Sequence, residues 1–274
     1  MRYLDRVAVV TGAGSGIGRA LTIALARDGA RVAAADIDPS ALADTQAGCG
    51  SDRVSAYPVD VTDREAVLSF ADDVRRDLGC ASLVFNNAGV DLYASAIDMS
   101  FADFDWLMAI NVGGVVNGTK AFLPQLIEAG SARRPARLVN ISSAFGLIAF
   151  AYQSAYSASK FAVRGFTEAV RQEMIVDHHP VTVHSVHPGV VRSNFGVNMR
   201  TADTEDRDKA VKQYERAART SPEKTARLVL RGVDRNRARI VIGPDGWVAA
   251  ALPRLIGVHY TGLMAWATRL TNKQ

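Results

Sequence analysis

The chain has 274 residues, 48% of them hydrophobic and 22% charged, which fits a soluble globule built as one large α/β domain. Its formal charge of +4 is mild and its Lys and Arg residues are scattered; the densest spot, Arg133-Arg134, reads as a solvated loop, which argues against a nucleic-acid surface. Cys49 and Cys80 belong to no CxxC or Cys/His cluster, so neither a metal site nor a disulfide framework is expected, and free thiols fit a reducing compartment.

In chain order, residues 7–10 form a short apolar run, read as a strand, that stops at a glycine-rich turn. That stop comes too early for a signal-peptide core. Residues 17–28 follow with helical spacing (Ile17, Leu21, Leu25), and 31–36 are a second apolar strand. A helix of modest pattern over 39–49 leads to a third strand at 53–59. Residues 63–78 carry Val67, Phe70, Val74 and Leu78 at intervals of three and four, which predicts an amphipathic helix. Further strands are expected at 82–85, 137–141, 181–186 and 239–242, and helices at 111–128 and 154–177.

Continuous apolar strands separated by helices predict a parallel sheet covered on both faces. Right-handed crossovers make it a doubly wound, seven-stranded sheet of the Rossmann type. Ligands of such sheets sit at the carboxyl ends of the strands, so the residues after each strand are the site candidates.

Residues 194–221 read as a substrate loop, with Phe195, Val197 and Met199 able to reach a pocket. Within it, 203–219 reads as a solvated helix with Val211 and Tyr214 inward, and a mobile lid and a permanent cover are both open. The division expected is a domain over 1–243 and an apolar C-terminal extension over 244–274. The extension carries Trp247, Leu252, Leu255, Ile256, Tyr260, Leu263, Met264, Trp266 and Leu270, too apolar to hang in water. It packs on its own domain, on a neighbouring subunit or on a membrane surface, for which Lys273 and the arginines offer slight support. Pro253, Arg254 and His259 interrupt it, so no membrane span is expected and the chain reads as cytoplasmic.

After the first strand comes Thr11-Gly12-Ala13-Gly14-Ser15-Gly16-Ile17-Gly18. Glycines let the backbone turn tightly and approach a pyrophosphate, and the following helix N-terminus offers free N–H groups. A ligand-free turn is the bland alternative; the position between strand and helix favours a dinucleotide. Asp36 ends the second strand. A carboxylate there accepts from the adenosine ribose hydroxyls and repels a 2′-phosphate, which favours NAD over NADP. Asp36 as a helix cap is the rival reading, but Asp38, before Pro39, suits that job better. Asp60-Val61 follows the third strand and Asn86-Asn87-Ala88-Gly89 the fourth.

Tyr156 and Lys160 are four apart, on one face of the expected helix. An ammonium beside a phenol stabilises the phenolate and lowers its pKa from about 10 toward working pH. Chance alone often produces such a pair; the context decides. Ser143 precedes Tyr156 by 13 residues, just after the fifth strand, and Asn111 lies upstream on an expected helix.

TGxxxGxG, Asp60, NNAG, Asn111, Ser143 and YxxxK stand in the order of the short-chain dehydrogenase/reductase superfamily, which the chain resembles from Thr11 to Gly189. The resemblance implies NAD(H) held by Gly12, Ser15, Gly16, Ile17, Gly18, Asp36, Asp60, Val61, Asn87, Ala88 and Gly89. It adds Pro188, Gly189, Val191 and Ser193 after the sixth strand; Ser193 stands where the family often has Thr. Tyr156 would be the acid/base and Lys160 its pKa modifier and a ribose ligand. Ser143 would hydrogen-bond the substrate oxygen, in preference to its competitor Ser142, and Asn111 would position a relay water. Phe145, Leu147, Phe150 and Tyr152 favour a hydrophobic secondary alcohol or ketone as substrate. The rival from another class is an NAD(H)-binding sensor or scaffold without turnover. The resemblance also implies a homo-oligomer, tetramer or dimer, for which Phe122, Leu126 and Phe161 fit an interface or the core equally well.

Overall fold

The computed structural model describes residues 1–196 and 198–272, with side chains through residue 269. Val197, the Leu270 side chain and Lys273, named above for the pocket and the tail, lie outside the described residues.

The first strand, β1 (Val7–Thr11), is buried along its whole length, and the pleat decides where its side chains go. Ala8 and Val10 join one hydrophobic cluster, and Val7 and Val9 join another on the opposite face. β2 (Arg31–Asp36) divides in the same way, Val32 and Ala34 against Ala33 and Ala35. A strand that serves two cores cannot alternate apolar with polar, which is why these segments read as unbroken apolar runs. The other strands are β3 (Val54–Pro58), β4 (Ala81–Asn86), β5 (Leu92–Tyr93), β6 (Ala136–Ile141), β7 (Val181–Pro188), β8 (Arg200–Thr201) and β9 (Arg239–Ile242). Seven of them form one parallel sheet in the order β3-β2-β1-β4-β6-β7-β9, the doubly wound arrangement that the sequence predicts. β5 and β8 pair separately as a two-residue parallel ribbon, which the sequence does not announce.

The helices are α1 (Gly16–Arg27), α2 (Pro39–Cys49), α3 (Arg64–Leu78), α4 (Phe101–Met108), α5 (Gly114–Ala129), α6 (Ser154–Val176), α7 (Arg207–Ala217), α8 (Pro222–Asp234), α9 (Pro244–Ile256) and α10 (Tyr260–Asn272). On one face of the sheet, Leu21 and Leu25 of α1 and Val229, Leu230 and Val233 of α8 close the first cluster. On the other, α3, α5 and α6 contribute Phe70, Val74, Phe122, Leu126, Val170 and Met174. Phe122 and Leu126 are therefore core, whereas Phe161 stays 39% exposed. Phe122 meets Phe70 edge-on, with ring centroids 5.4 Å apart. Phe122→Ala should cost about 3–5 kcal/mol of stability. Urea unfolding checks this: the midpoint falls while the slope holds.

After β9 the chain makes α9, a short 3-10 turn (Gly257–His259) and α10. Ala249, Leu252, Tyr260 and Met264 pack against Phe145, Leu147, Ile148 and Phe150. Trp247, Val248, Leu255, Val258 and Trp266 face outward, each more than half exposed. Among the described residues no helix is long and apolar enough to cross a membrane.

Candidate active site

The site is assembled where β1, β2, β4, β6 and β7 end. Side-chain caps close the N-termini of α2 (Asp38), α3 (Asp63), α4 (Ser100), α7 (Asp206) and α8 (Ser221). α1 differs: Ser15 at its N-cap position makes no side-chain cap, so the first-turn N–H groups face outward without one. The preceding loop leaves room there. Gly12 has a φ of +65°, and a Cβ on Gly18 would lie 2.0 Å from the Gly12 carbonyl oxygen. The loop is thus bare backbone leading into an uncapped helix, which fits a pyrophosphate. Asp36 Oδ2 accepts from Gly14 N (2.8 Å), which fastens the carboxylate beside the loop. Arg19, the basic residue nearest the loop, is already engaged. Its guanidinium donates to Gly14 O (2.5 Å) and Thr45 Oγ1 (3.0 Å).

The Asn86–Gly89 segment is laced to this loop. Thr11 Oγ1 accepts from Asn87 N (3.0 Å) and Ala88 N (3.1 Å), and Asn87 Nδ2 donates to Thr11 O (2.9 Å). Beneath it, Asn86 Nδ2 donates to Asn140 Oδ1 (2.8 Å) and Asn140 Nδ2 to Thr167 Oγ1 (3.0 Å), which ties β4, β6 and α6 together below the site. Asp60 accepts from the Thr62 backbone and hydroxyl, a local turn, and Val61 O accepts from Asn117 Nδ2 (2.9 Å). Gly189 N donates to Ile242 O, and Asp245 Oδ2 accepts from Val190 N (2.6 Å), which fixes the segment after β7. Val191 O accepts from the Tyr214 hydroxyl (2.7 Å), and Ser193 stands against Gly16, so the sixth-strand segment reaches the glycine loop.

Ser143, Tyr156 and Lys160 come together in the buried interior of this edge. The Ser143 hydroxyl faces the Tyr156 phenol and accepts from Phe145 N (3.1 Å). The Lys160 ammonium lies 5.6 Å from the Tyr156 ring centroid and donates to Ile141 O (3.3 Å). Ser142 is spent elsewhere, donating to Lys160 O (2.8 Å). His187 supports Ser143 from below through Nδ1, 2.9 Å from Ser143 O. Burial pushes the His187 imidazole down to about 4, so it is neutral, with its proton on Nδ1 and Nε2 accepting from Ser185 Oγ (2.8 Å).

Asn111 lies in a five-residue π-helical segment (Ala109–Gly113) between α4 and α5 rather than in a regular helix, the kind of widened turn that recurs at functional sites. Its Oδ1 accepts from Val90 N (2.8 Å), and its Nδ2 donates to Val90 O (3.0 Å) and Ser159 Oγ (3.1 Å). Both amide donors are thus committed to protein groups.

Electrostatics modify the sequence reading at one point. The Lys160 ammonium is expected to lower the Tyr156 phenol, but burial dominates in the protein alone and pushes the phenol above its ordinary value. A carboxylate, Asp91, pushes it the same way, and the Ser143 hydroxyl opposes both. Burial brings Lys160 down to about 8, against support from Asp91. Sequence reasoning passes over Asp91, Gln153 and His187. Asp91 and His187 each stand within two residues of a recognised segment, a position that was the available signal.

Around Tyr156 the wall is aromatic. Phe145 and Phe195 have ring centroids 5.7 and 5.9 Å from its own, and Phe150 stacks on Phe145 at 4.5 Å. Met199 is buried, and Tyr214 of α7 turns inward, as expected.

A doubly wound sheet with a bare glycine loop at one strand end and a buried Ser-Tyr-Lys cluster at the next defines a nucleotide-dependent oxidoreductase. The chain belongs to the short-chain dehydrogenase family, whose model matches residues 6–240. It is 44% identical to the oxidoreductase SadH of Mycobacterium tuberculosis over 266 residues, covering 96% of this chain and 95% of that one. It is 35% identical to the D-threitol dehydrogenase of Mycolicibacterium smegmatis over 197 residues, 71% and 74% of the two chains. A crystal structure of a short-chain dehydrogenase/reductase from Burkholderia phymatum in complex with NAD superposes with a TM-score of 0.85 at 27% identity, covering 93% and 95%.

Proposed function

We propose that this enzyme transfers hydride between NAD(H) and a hydrophobic secondary alcohol or its ketone, with Tyr156 as the acid/base. The observation that carries the reading is the buried Tyr156 phenol, facing the Ser143 hydroxyl, beside the Lys160 ammonium and within an aromatic wall. NAD⁺, when bound, supplies the hydride acceptor and a positive charge near the phenol. In the oxidation direction the Tyr156 oxygen takes the hydroxyl proton of the substrate. The Ser143 hydroxyl donates to the substrate oxygen, and the Lys160 ammonium stabilises the phenolate. Asn111 positions a water that links Lys160 to solvent as a proton relay, and its amide also grips the loop at Val90. Phe145, Phe150 and Phe195 favour an apolar substrate; the D-threitol relative is named for a polar one, so a polyol is the second reading. In this account residues 1–243 carry the chemistry, and the extension over 244–274 backs the Phe145–Phe150 wall through Ala249, Leu252, Tyr260 and Met264. Assembly as a homo-oligomer belongs to the same reading, with the outward Trp247–Trp266 face as its surface.

Preference for NAD over NADP rests on Asp36 and on Arg19, whose guanidinium is occupied by loop carbonyl and hydroxyl groups. Reduced-nicotinamide absorbance with each cofactor tests it. NAD should give a kcat/KM about 10-fold or more above NADP, and Asp36→Ser should narrow that ratio. A wild-type preference for NADP would overturn the Asp36 argument and leave the catalytic assignment standing.

A further inference from the structure

Among the described residues, Asp91 is the only buried carboxylate and Lys160 the only buried lysine, and the two act on each other. The short stretch that carries Asp91 is held at several points. Asn111 grips Val90 through both N–H and C=O. The Asp91 carbonyl accepts from Arg200 N (3.1 Å), where β5 meets β8. A Cβ on Gly89 would lie 3.3 Å from Lys160 Nζ, so this stretch runs directly against the ammonium.

The carboxylate itself accepts from Leu92 N (2.8 Å), and the side chain of Gln153, three residues before Tyr156, lies near enough to steady its charged form. Gln153 is itself buried, and its Oε1 has no partner among the described residues. Lys160 and Tyr156 of α6 and Tyr214 of α7 are the titratable groups that face Asp91. The mechanism above gives Asp91 no part, yet burying a charge there is costly.

We propose that Asp91 is a positioning residue, the buried countercharge that keeps Lys160 protonated and holds the Tyr156 proton, and so sets the pH range of the reaction. The inference rests on the catalytic reading of Tyr156 and Lys160. Its sign follows from charge. In oxidation the active form has Tyr156 ionised and Lys160 protonated. The phenol and the ammonium together set the two limbs of the rate profile. A negative charge beside them raises both pKa values. Asp91 carries that charge over the working range, since burial pushes its own pKa up to only about 6. Removing it should lower both limbs together.

The test is the pH profile of kcat/KM for alcohol oxidation in wild type, Asp91→Asn and Tyr156→Phe. Asp91→Asn preserves shape and can still accept from Leu92 N. Its whole profile should move toward acid by about one pH unit, with KM for NAD and the melting temperature near wild type. Asp91→Ser, a second neutral variant, should move the same way, which guards against a folding fault in the first. A profile superimposed on wild type, or a uniform drop in rate without displacement, overturns the inference. Activity that survives Tyr156→Phe would instead overturn the catalytic reading beneath it.

Discussion

Tyr156→Phe should lower turnover about 10²–10⁴-fold while NADH binding changes little. The substitution removes one oxygen atom and no ring. The edge-on contact with Phe145 and the tilted contact with Phe195 depend on the ring, so the pocket wall stays packed. Lys160 remains at Ile141 O, and the glycine loop is untouched. What disappears is the group that exchanges a proton with the substrate oxygen and faces the Ser143 hydroxyl. Steady-state turnover together with NADH fluorescence titration separates these effects. Near-normal turnover would remove Tyr156 from its role, whereas lost NADH binding would mean that the ring, rather than the hydroxyl, was holding the site.

Gly18→Ala should be the second large effect. The added carbon would fall 2.0 Å from the Gly12 carbonyl oxygen and 2.6 Å from Asn87 Nδ2. The first obstacle is backbone and cannot swing aside; the second is an amide that ties the Asn86–Gly89 segment to the loop. Either α1 retreats or the loop opens, and both spoil the approach of N–H groups to a pyrophosphate. A stability loss of about 1–3 kcal/mol and an NADH affinity at least about 10-fold weaker are expected. Gly165→Ala on α6 is the control, because nothing lies within 4 Å of its added carbon. There alanine should be neutral or stabilise the helix by up to about 1 kcal/mol. Equal behaviour of the two variants in thermal melts and NADH titrations would refute the close-packing account of the loop.

The parallel, doubly wound sheet was legible from sequence because its central strands serve two cores and so read as unbroken apolar runs. Val7–Val10 and Arg31–Asp36 announce the sheet before any turn does. Asp38 was legible as the cap of α2 for a local reason, since it stands directly before Pro39. The ribbon of β5 and β8 was not legible: two residues on each side leave no periodicity, and the pairing joins segments about a hundred residues apart. α8 carries its start in plain view, Ser221 as cap and Pro222 after it, but it falls between the loop over 194–221 and the strand over 239–242, a stretch to which the sequence reading assigns no element.

At the site, Ser143, Tyr156 and Lys160 were readable by spacing, and the structure brings them together. The balance of their pKa values was not. It depends on how deeply each group is buried and on Asp91, whose effect on Lys160 comes from a loop fastened by Asn111. Burial and through-space charge leave no mark in a linear pattern.

The most direct test of the central claim is the appearance of reduced-nicotinamide absorbance when wild-type protein meets NAD and a panel of hydrophobic secondary alcohols. The account predicts turnover with at least one of them, absent in Tyr156→Phe. Tight NADH binding with no hydride transfer to or from any alcohol or ketone offered, apolar or polyol, would contradict it and return the protein to the role of a nucleotide-binding sensor.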